Sequence, residues 1–456
     1  MSDNKIKRRA FLKAGGVSVI AAGVGLNSAS TKAQQAPEIH DRGEMPMLAT
    51  QISQNAPIPA TKGPRVVVVG GGWSGLTMAK YLKKNYRDFD VVLVEKKAGF
   101  MSCPLSNLWL ADQVSLEFLS HSYNEAASNN NYIFYNATVI GADRESRKLY
   151  TDQGHIDYHY LVLAPGIDYD YARMGVEDPA QVQLLQMSYP GGFKGLSEIL
   201  AIKHKLLAFE GGDFLMTVPS GNYRCMAAPY ERACMAAAIF KKRGIKARIH
   251  LLDMNPAIRI KRDGFTRAWE TFYKDIIHYE SSVEVSAIDP ESRRLETDFD
   301  EYEFDDAIIY PPVRASRLIE ALDLVDPISP QKEANIDPFK YNIIGDEHVY
   351  VTGDARSQPF SKSGNTANSE AKYVAEVIAA HAQGREINWR SPQTMCFSGV
   401  TIDPVESMSI ISSYRFDENE QRFEFTRVHP IEEWSTTSGQ AGFAWAEGMF
   451  KDMFYI

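Results

Sequence analysis

The segment from Arg65 to Glu95 constrains the fold more than any other part of this chain. Four consecutive valines, Val66 to Val69, form an apolar run that is typical of a buried parallel strand. Three glycines with G-x-G-x-x-G spacing follow, and then come a helical pattern and a second apolar strand that ends at Glu95. The glycine spacing alone would be weak evidence, but the parts in this order predict a dinucleotide-binding βαβ unit.

Each residue of this motif has a mechanical role. Gly70 makes the tight turn, Gly72 lets the backbone approach a pyrophosphate, and Gly75 lets the helix pack on the strand. The N-terminus of the helix faces the phosphates, and Glu95 would accept hydrogen bonds from the ribose hydroxyls. An acid at the ribose favours FAD or NAD over a dinucleotide with a 2'-phosphate.

Two later segments favour FAD over NAD. The stretch YLVLAPGIDYD, residues 160–170, is an apolar strand followed by a turn at Gly166, of the kind found in flavoproteins with two dinucleotide folds. The stretch HVYVTGDA, residues 348–355, is a strand that leads into Asp354. We predict that Asp354 binds the ribityl chain of the flavin, although a helix or turn cap is the simpler role for such a residue.

The residues after Asp354 extend this prediction. A helix that begins near Thr366 would point its N-terminal dipole at the pyrimidine end of the flavin and stabilise negative charge there. Lys362, in the loop before that helix, could stabilise reduced flavin in the same way, and a solvated loop lysine fits the sequence equally well.

The N-terminal region predicts an export signal rather than part of the fold. Arg8 and Arg9 form a twin-arginine pair before a short apolar run, so residues 1–34 are interpreted as a Tat signal, with a Sec signal or an N-terminal anchor as alternatives. Residues 35–62 are expected to be a flexible leader. The mature protein is therefore expected in the periplasm, with no membrane span.

Composition and pattern together give an α/β fold. The 456 residues allow two or three domains, and the net charge of -9 argues against nucleic acid as a partner. We expect an FAD-binding domain over residues 63–172 and 301–385, and a second Rossmann-like domain over 173–300 that lacks the glycine motif. Electrons are therefore not expected to come from NADH. A smaller C-terminal α+β domain, rich in strands with a closing helix, is expected over 386–456.

Several stretches carry a resemblance to a known family. The sequence resembles the flavoprotein subunit of flavocytochrome c sulfide dehydrogenase from about Arg65 to the C-terminus. The resemblance implies a disulfide-reductase-like flavoprotein that oxidises sulfide and passes electrons to a c-type cytochrome. Because no C-x-x-C-H motif is present, the haem would belong to a separate subunit. The stretches that match are CPLSN, YRCMAAPYERA, YPPVRA, VTGDA and SKSGNTANSEAK.

The resemblance also implies roles for two cysteines. Cys103 falls where the family joins a cysteine to the flavin 8α-methyl group as a thioether, and simple packing is the alternative. Cys225 falls on one half of a redox-active disulfide that sulfide attacks. Its place beside Arg224 and a helix N-terminus favours the thiolate. Glu231, six positions on, is either a proton acceptor for this thiol or an acid that favours the helix dipole.

The second half of that disulfide is the point where the chain departs from the family pattern. The aligned position holds Ala334, and we expect Cys234 and Cys396 to be packed residues, with a Cys225–Cys234 bridge as the less favoured alternative. Three mechanisms then remain open: Cys225 carries a persulfide alone, the substrate attacks the flavin directly, or the enzyme oxidises a different substrate. A non-catalytic subunit of a sulfur-oxidation complex is a further alternative.

Overall fold

The computed structural model describes residues 52–455, so the predicted signal peptide and most of the predicted leader lie outside the described residues. Eleven α-helices and 23 strands are found in this range. The strands are β1 Arg65–Val69, β2 Asp90–Glu95, β3 Gly99–Met101, β4 Ser120–Ser122, β5 Ile133–Asn136, β6 Val139–Asp143, β7 Lys148–Thr151, β8 Gly154–Asp157, β9 Tyr160–Leu163, β10 Ile167–Tyr169, β11 Gly212–Val218, β12 Ala247–Asp253, β13 Ile277–Ser281, β14 Val285–Asp289, β15 Arg294–Thr297, β16 Glu301–Glu303, β17 Asp306–Ile308, β18 Val313–Ala315, β19 Asn342–Ile343, β20 Asp346–Val351, β21 Thr394–Ile402, β22 Val405–Asp417 and β23 Arg422–Ser435. The helices are α1 Trp73–Asn85, α2 Ser106–Leu110, α3 Leu116–Leu119, α4 Tyr123–Asn130, α5 Pro179–Ser188, α6 Leu196–Ala208, α7 Ala228–Lys242, α8 Arg262–Phe272, α9 Arg317–Ala321, α10 Gly364–Ala382 and α11 Thr436–Phe454.

The first large sheet contains the predicted βαβ unit. Its six strands lie in the order β19-β20-β9-β1-β2-β5, and all neighbours except the β19-β20 pair are parallel. Every residue of β1 and of β9 is buried, as a central parallel strand covered on both faces requires. Helix α1 follows β1 directly and packs against α10. The prediction from the valine run and the three glycines is confirmed.

The second large sheet has the strand-helix-strand plan expected for the middle of the chain. Its four strands are all parallel and lie in the order β13-β12-β11-β17. Helix α7 joins β11 to β12, and twelve of its fifteen residues are buried. The chain turns after this helix at Gly244, which has the left-handed backbone (φ +69°) that glycine adopts without strain.

The C-terminal segment consists of an antiparallel sheet and a closing helix, as the sequence predicts. Strands β21, β22 and β23 form a meander, and α11 follows. Strand β21 packs on α7 of the middle region, whereas α11 packs on α1. The indole of Trp445 stacks on that of Trp73 with ring centroids 5.9 Å apart. This segment therefore covers the junction of the two parallel sheets. None of the helices between residues 52 and 455 is long and apolar enough to cross a membrane.

Candidate active site

A cleft of about 580 Å³ opens at the carboxyl ends of the parallel strands of the first sheet. Ligands of open α/β sheets bind at this edge, and cofactor sites commonly have volumes of roughly 300–1,000 Å³. Most of the site residues predicted from the sequence lie on the walls of this cleft. They are Gly70, Gly72, Glu95, Cys103, Gly166, Cys225 and Asp354.

The end of the cleft formed by the glycine motif is shaped for a pyrophosphate. Gly70 has φ +102°, and a side chain there would collide with the carbonyl oxygen of Ala164. Gly72 precedes α1, and no side chain caps this helix. A Cβ added at Gly72 would meet nothing within 4 Å. The free N–H groups of the helix are therefore open to an anion.

Gly75 and Glu95 support this end of the cleft. Gly75 does not line the cleft, and a Cβ at this position would collide with the carbonyl oxygen of Gly70, which agrees with its predicted packing role. The carboxylate of Glu95 lines the cleft and accepts hydrogen bonds from the backbone N–H groups of Gly71 (2.7 Å) and Lys97 (2.9 Å). It is thereby fixed where a ribose would follow the pyrophosphate.

Asp354 faces the other end of the cleft and is paired with Arg224. The Arg224 Nε donates to Asp354 Oδ2 at 2.5 Å, and Nη1 donates to the carbonyl oxygen of Phe193 at 2.7 Å. Burial alone would raise the pKa of Asp354, but the charges of Arg224 and Lys362 lower it overall. The carboxylate is therefore ionised and fixed at the cleft wall.

Lys362 departs from the prediction because it does not line the cleft. Its ammonium donates to Glu333 Oε1 at 2.5 Å and to the carbonyl oxygen of Asp354 at 2.7 Å, and the residue is 1% exposed. Burial lowers the pKa of Lys362 even though Glu333 opposes this shift. Lys362 thus supports the Asp354 loop on the side away from the cleft. The prediction was wrong because the position of a residue in a loop does not determine which way its side chain points.

Thr366 is also displaced from the cleft, although the predicted helix is there. Helix α10 begins at Gly364, and the Ser363 side chain caps it by accepting from the Thr366 N–H at 3.2 Å. The hydroxyl of Thr366 lies inside the protein against Thr394 Oγ1 at 2.7 Å. Ser363 and Gly364 line the cleft instead. The helix N-terminus is therefore directed at the cleft as predicted, but through different residues.

These features together fit FAD. A glycine turn and an uncapped helix N-terminus suit the pyrophosphate, Glu95 suits the adenosine ribose, and Asp354 with the second helix N-terminus suits the flavin half. The middle sheet offers no matching glycine motif at the turn after β11, where the sequence is PSGNYRC.

Two thiols meet at the flavin end of the cleft. Cys103 lies just before α2, Cys225 lies before α7 with a left-handed φ of +55°, and each thiol shifts the pKa of the other. Interaction with the Cys225 thiol lowers the pKa of Cys103, with help from the cations of Arg224 and Arg232. Interaction with the Cys103 thiol, together with burial, raises the pKa of Cys225. The sequence predicts the thiolate at Cys225, but these shifts favour it at Cys103.

The turn around Cys225 is held by its neighbours. The Cys225 N–H donates to the carbonyl oxygen of Lys362 at 2.8 Å. The Tyr310 hydroxyl donates to the carbonyl oxygen of Arg224 at 2.9 Å, and the Tyr223 hydroxyl donates to that of Met226 at 3.0 Å. A non-glycine residue with positive φ is uncommon and is retained only where its surroundings fix it, which these contacts do.

A second, smaller cavity of about 50 Å³ adjoins these thiols, and a third cysteine lines it. Cys103, Cys225 and Cys396 share its wall. Cys396 is close enough to Cys225 that its charge contributes to raising the pKa of Cys225. This cavity has room for more than one water molecule, because about 10–15 Å³ of such volume holds one.

The structure places Cys396 differently from the sequence prediction, on the wall of the small cavity with Cys103 and Cys225. We expected it to pack inside the C-terminal segment, and we expected Cys225 to have no partner because Ala334 occupies the aligned position. Ala334 is fully buried, bonds through its N–H to Ala355, and lines neither cavity. The one available signal was elimination, since Cys396 is the only cysteine left once the other three are assigned.

Cys234 is a packed residue, as predicted. It is fully buried on α7, and its sulfur accepts a hydrogen bond from Trp269 Nε1 at 3.2 Å. Burial raises the pKa of Cys234 to about 12, so its thiol is neutral and unreactive. It therefore takes no part in the thiol cluster.

Glu231 ties three segments together beside the small cavity. One carboxylate oxygen accepts from Asn107 Nδ2 at 2.8 Å, and the other accepts from the Gly399 N–H at 2.7 Å. Burial raises the pKa of Glu231, although both hydrogen bonds oppose this shift. Glu231 thus lies in the first turn of α7 as expected, but its hydrogen bonds go to α2 and β21 rather than to its own helix.

The fold and the site define a flavin-type oxidoreductase built from two dinucleotide-binding folds with a thiol cluster at the cofactor cleft. Residues 64–183 match the profile of pyridine nucleotide-disulphide oxidoreductases. Residues 199–311 match that of the sulfide dehydrogenase (flavocytochrome c) flavoprotein chain, central. The chain belongs to the family of flavocytochrome c sulfide dehydrogenase flavoprotein chains, within the sulfide-oxidising flavoprotein oxidoreductases.

Three similar proteins illustrate this relationship. The sulfide dehydrogenase (flavocytochrome c) flavoprotein chain of Chlorobaculum thiosulfatiphilum is 56% identical over 43 residues, which are 9% of this chain and 90% of that sequence. The mitochondrial sulfide:quinone oxidoreductase of Dictyostelium discoideum is 21% identical over 372 residues, covering 77% of this chain and 78% of the relative. The structure of the sulfide:quinone oxidoreductase from Aquifex aeolicus superposes with a TM-score of 0.66 at 17% identity, over 86% of this chain and 92% of that one.

Proposed function

We propose that this protein binds FAD in the large cleft, oxidises sulfide, and passes the electrons to a c-type cytochrome subunit in the periplasm. The observation that carries the proposal is the position of Cys225, which lies on the wall of both the large cleft and the small cavity that Cys396 also lines. A sulfur atom bound at Cys225 would therefore be in contact with the cofactor cleft and with a second thiol at once.

In this proposal, Cys225 and Cys396, which are free thiols in the structure, form on oxidation the disulfide that sulfide opens. Hydrosulfide attacks one of the two sulfurs, a new S–S bond forms, the Cys225–Cys396 bond breaks, and the displaced sulfur leaves as a thiolate. Bound FAD supplies the acceptor for the two electrons that the sulfur gives up. The pairing is an alternative to the mechanisms in which Cys225 works alone.

Cys103 is proposed to hold the flavin as a thioether. The support is that Cys103 lines the cleft beside Cys225 and that its lowered pKa favours the thiolate, which is the nucleophilic form. Once Cys103 is bonded to the flavin, it is no longer available to Cys225. The two cysteines that remain on the wall of the small cavity are then Cys225 and Cys396.

The acceptor and the location are proposed from the family and the N-terminal sequence. The relative from Chlorobaculum thiosulfatiphilum carries flavocytochrome c in its name, and the present chain has no haem-attachment motif of its own. The twin arginines Arg8 and Arg9 favour export of the folded, cofactor-loaded protein.

Anaerobic stopped-flow reduction of the holoprotein by sulfide tests this function. We expect sulfide to bleach the flavin absorbance in the wild type, and we expect Cys225→Ser and Cys396→Ser each to slow bleaching by about two orders of magnitude or more. Cys234→Ser is the matched control and should bleach at the wild-type rate. Absence of bleaching in the wild type with sulfide, while another donor reduces the flavin, would show that the substrate is different. Addition of oxidised cytochrome c or of a soluble quinone to the reduced enzyme then identifies the acceptor.

A further inference from the structure

Lys261 has an unusual place beside the thiol cluster. It is 3% exposed, has a left-handed φ of +57°, and lies immediately before α8. Its side chain crosses to the C-terminal sheet, where the ammonium donates to Ser398 Oγ at 2.8 Å and to the carbonyl oxygens of Cys396 at 3.1 Å and Met408 at 3.4 Å. The sulfur of Cys396 is 3.7 Å from the same ammonium.

Among the described residues, the ammonium of Lys261 has no charged hydrogen-bond partner. Its hydrogen-bond acceptors are two carbonyl groups and a hydroxyl, all of which are neutral. In the part of the chain between residues 52 and 455, no carboxylate forms an ion pair with Lys261. The charge of Lys261 lowers the pKa of Glu231, but the two carboxylate oxygens of Glu231 are already bonded to Asn107 and Gly399. A buried charge is costly unless an opposite charge faces it, and the sulfur of Cys396 is the group in position to supply one.

We propose that Lys261 is the counter-ion of Cys396 and holds its sulfur as the thiolate whenever the Cys225–Cys396 bridge is open. This inference rests on the proposed function and adds a positioning residue to it. It also determines which of the two sulfurs is attacked. Hydrosulfide bonds to the Cys225 sulfur, the bond between the two cysteine sulfurs breaks, and the electron pair stays on the Cys396 sulfur beside Lys261. The new persulfide is then on Cys225, the cysteine of the pair that lines the cofactor cleft.

Alkylation of the reduced holoprotein tests the inference without any turnover. The protein is treated anaerobically with iodoacetamide at neutral pH, and the modification of each cysteine is followed by peptide mass spectrometry. Because the thiolate is the reactive form, we expect Lys261→Met to slow alkylation of Cys396 by about tenfold or more and Lys261→Arg to retain most of the wild-type rate. Lys241→Met, which removes a surface lysine that also bonds to a carbonyl oxygen, should change nothing.

A purely structural lysine gives the opposite result, because its removal would loosen the cavity and speed access to Cys396. An unchanged or faster rate at Cys396 in folded Lys261→Met overturns the inference. If that variant does not fold, a comparison of folded and urea-unfolded wild type tests the inference instead. We expect Cys396 to react faster in the folded protein than in urea at the same pH, and a slower reaction in the folded state rejects the role of Lys261. Since no sulfide is present, either failure leaves the proposed function to be decided by the flavin-bleaching experiment.

Discussion

At the scale of single residues, the site depends on how the backbone turns at Cys225. This residue has a left-handed conformation, and contacts from Lys362, Tyr310 and Tyr223 hold the turn in place. The turn brings the Cys225 sulfur to the boundary between the large cleft and the small cavity. Cys225 therefore borders both the cleft proposed for the flavin and the cavity that Cys396 also lines.

Cys103 provides the first prediction at this scale. If it is the attachment point of the flavin, the wild-type protein remains yellow after acid precipitation, whereas Cys103→Ser releases its flavin into the supernatant. Mass measurement of the intact chains checks the result, because the wild type, unlike Cys103→Ser, should carry the added mass of FAD. The Cys234→Ser variant is the control for loss of a thiol elsewhere. A wild-type precipitate that loses its colour would rule out the thioether.

Residue roles were also where reasoning from the sequence was weakest. The positions of Gly70, Glu95 and Asp354 followed from motifs whose backbone geometry is fixed by the fold. The directions of the Lys362 and Thr366 side chains did not follow, since both face the interior for reasons that only their packing reveals. The position of a residue in a loop does not determine whether its side chain lines the cleft or faces the interior.

At the scale of helices and strands, the glycine motif separates stability from cofactor binding. Gly75 packs against the carbonyl oxygen of Gly70, whereas Gly72 faces open space at the N-terminus of α1. The same substitution at the two positions should therefore have different effects, although both belong to one short motif.

We expect Gly75→Ala to lower the free energy of unfolding of the cofactor-free protein by about 1–3 kcal/mol, since the added methyl group forces the helix from the strand. Gly72→Ala should change that quantity by at most about 1 kcal/mol, because only the start of the helix is affected, yet it should weaken FAD retention. Urea unfolding of the cofactor-free proteins and flavin content after gel filtration measure the two effects. Equal losses of stability in both variants would contradict the packing role of Gly75.

Local patterns were sufficient to predict both parallel sheets. The valine run, the glycines and the apolar strand before Glu95 gave the first βαβ unit, and the apolar strands on either side of α7 gave the second. Each of these patterns spans neighbouring residues. The place where Cys225 and Cys396 line one cavity joins segments far apart in the sequence, and this is the physical reason why the sequence analysis left Cys225 without a partner.

At the scale of the whole molecule, the thiol cavity exists only because distant segments meet there. Strand β21 contributes Cys396, Ser398 and Gly399, and these contact Lys261 and Glu231 of the middle region. Asn107 of α2 joins the same network through Glu231. The C-terminal sheet is therefore part of the proposed redox site as well as a cover for the junction between the two parallel sheets.

Peptide mapping of the oxidised holoprotein under non-reducing conditions tests the central claim most directly. We expect one pair of peptides joined through Cys225 and Cys396, with Cys234 free. A link between Cys225 and Cys103, or both Cys225 and Cys396 recovered as free thiols after oxidation, would contradict the redox pair on which the account depends.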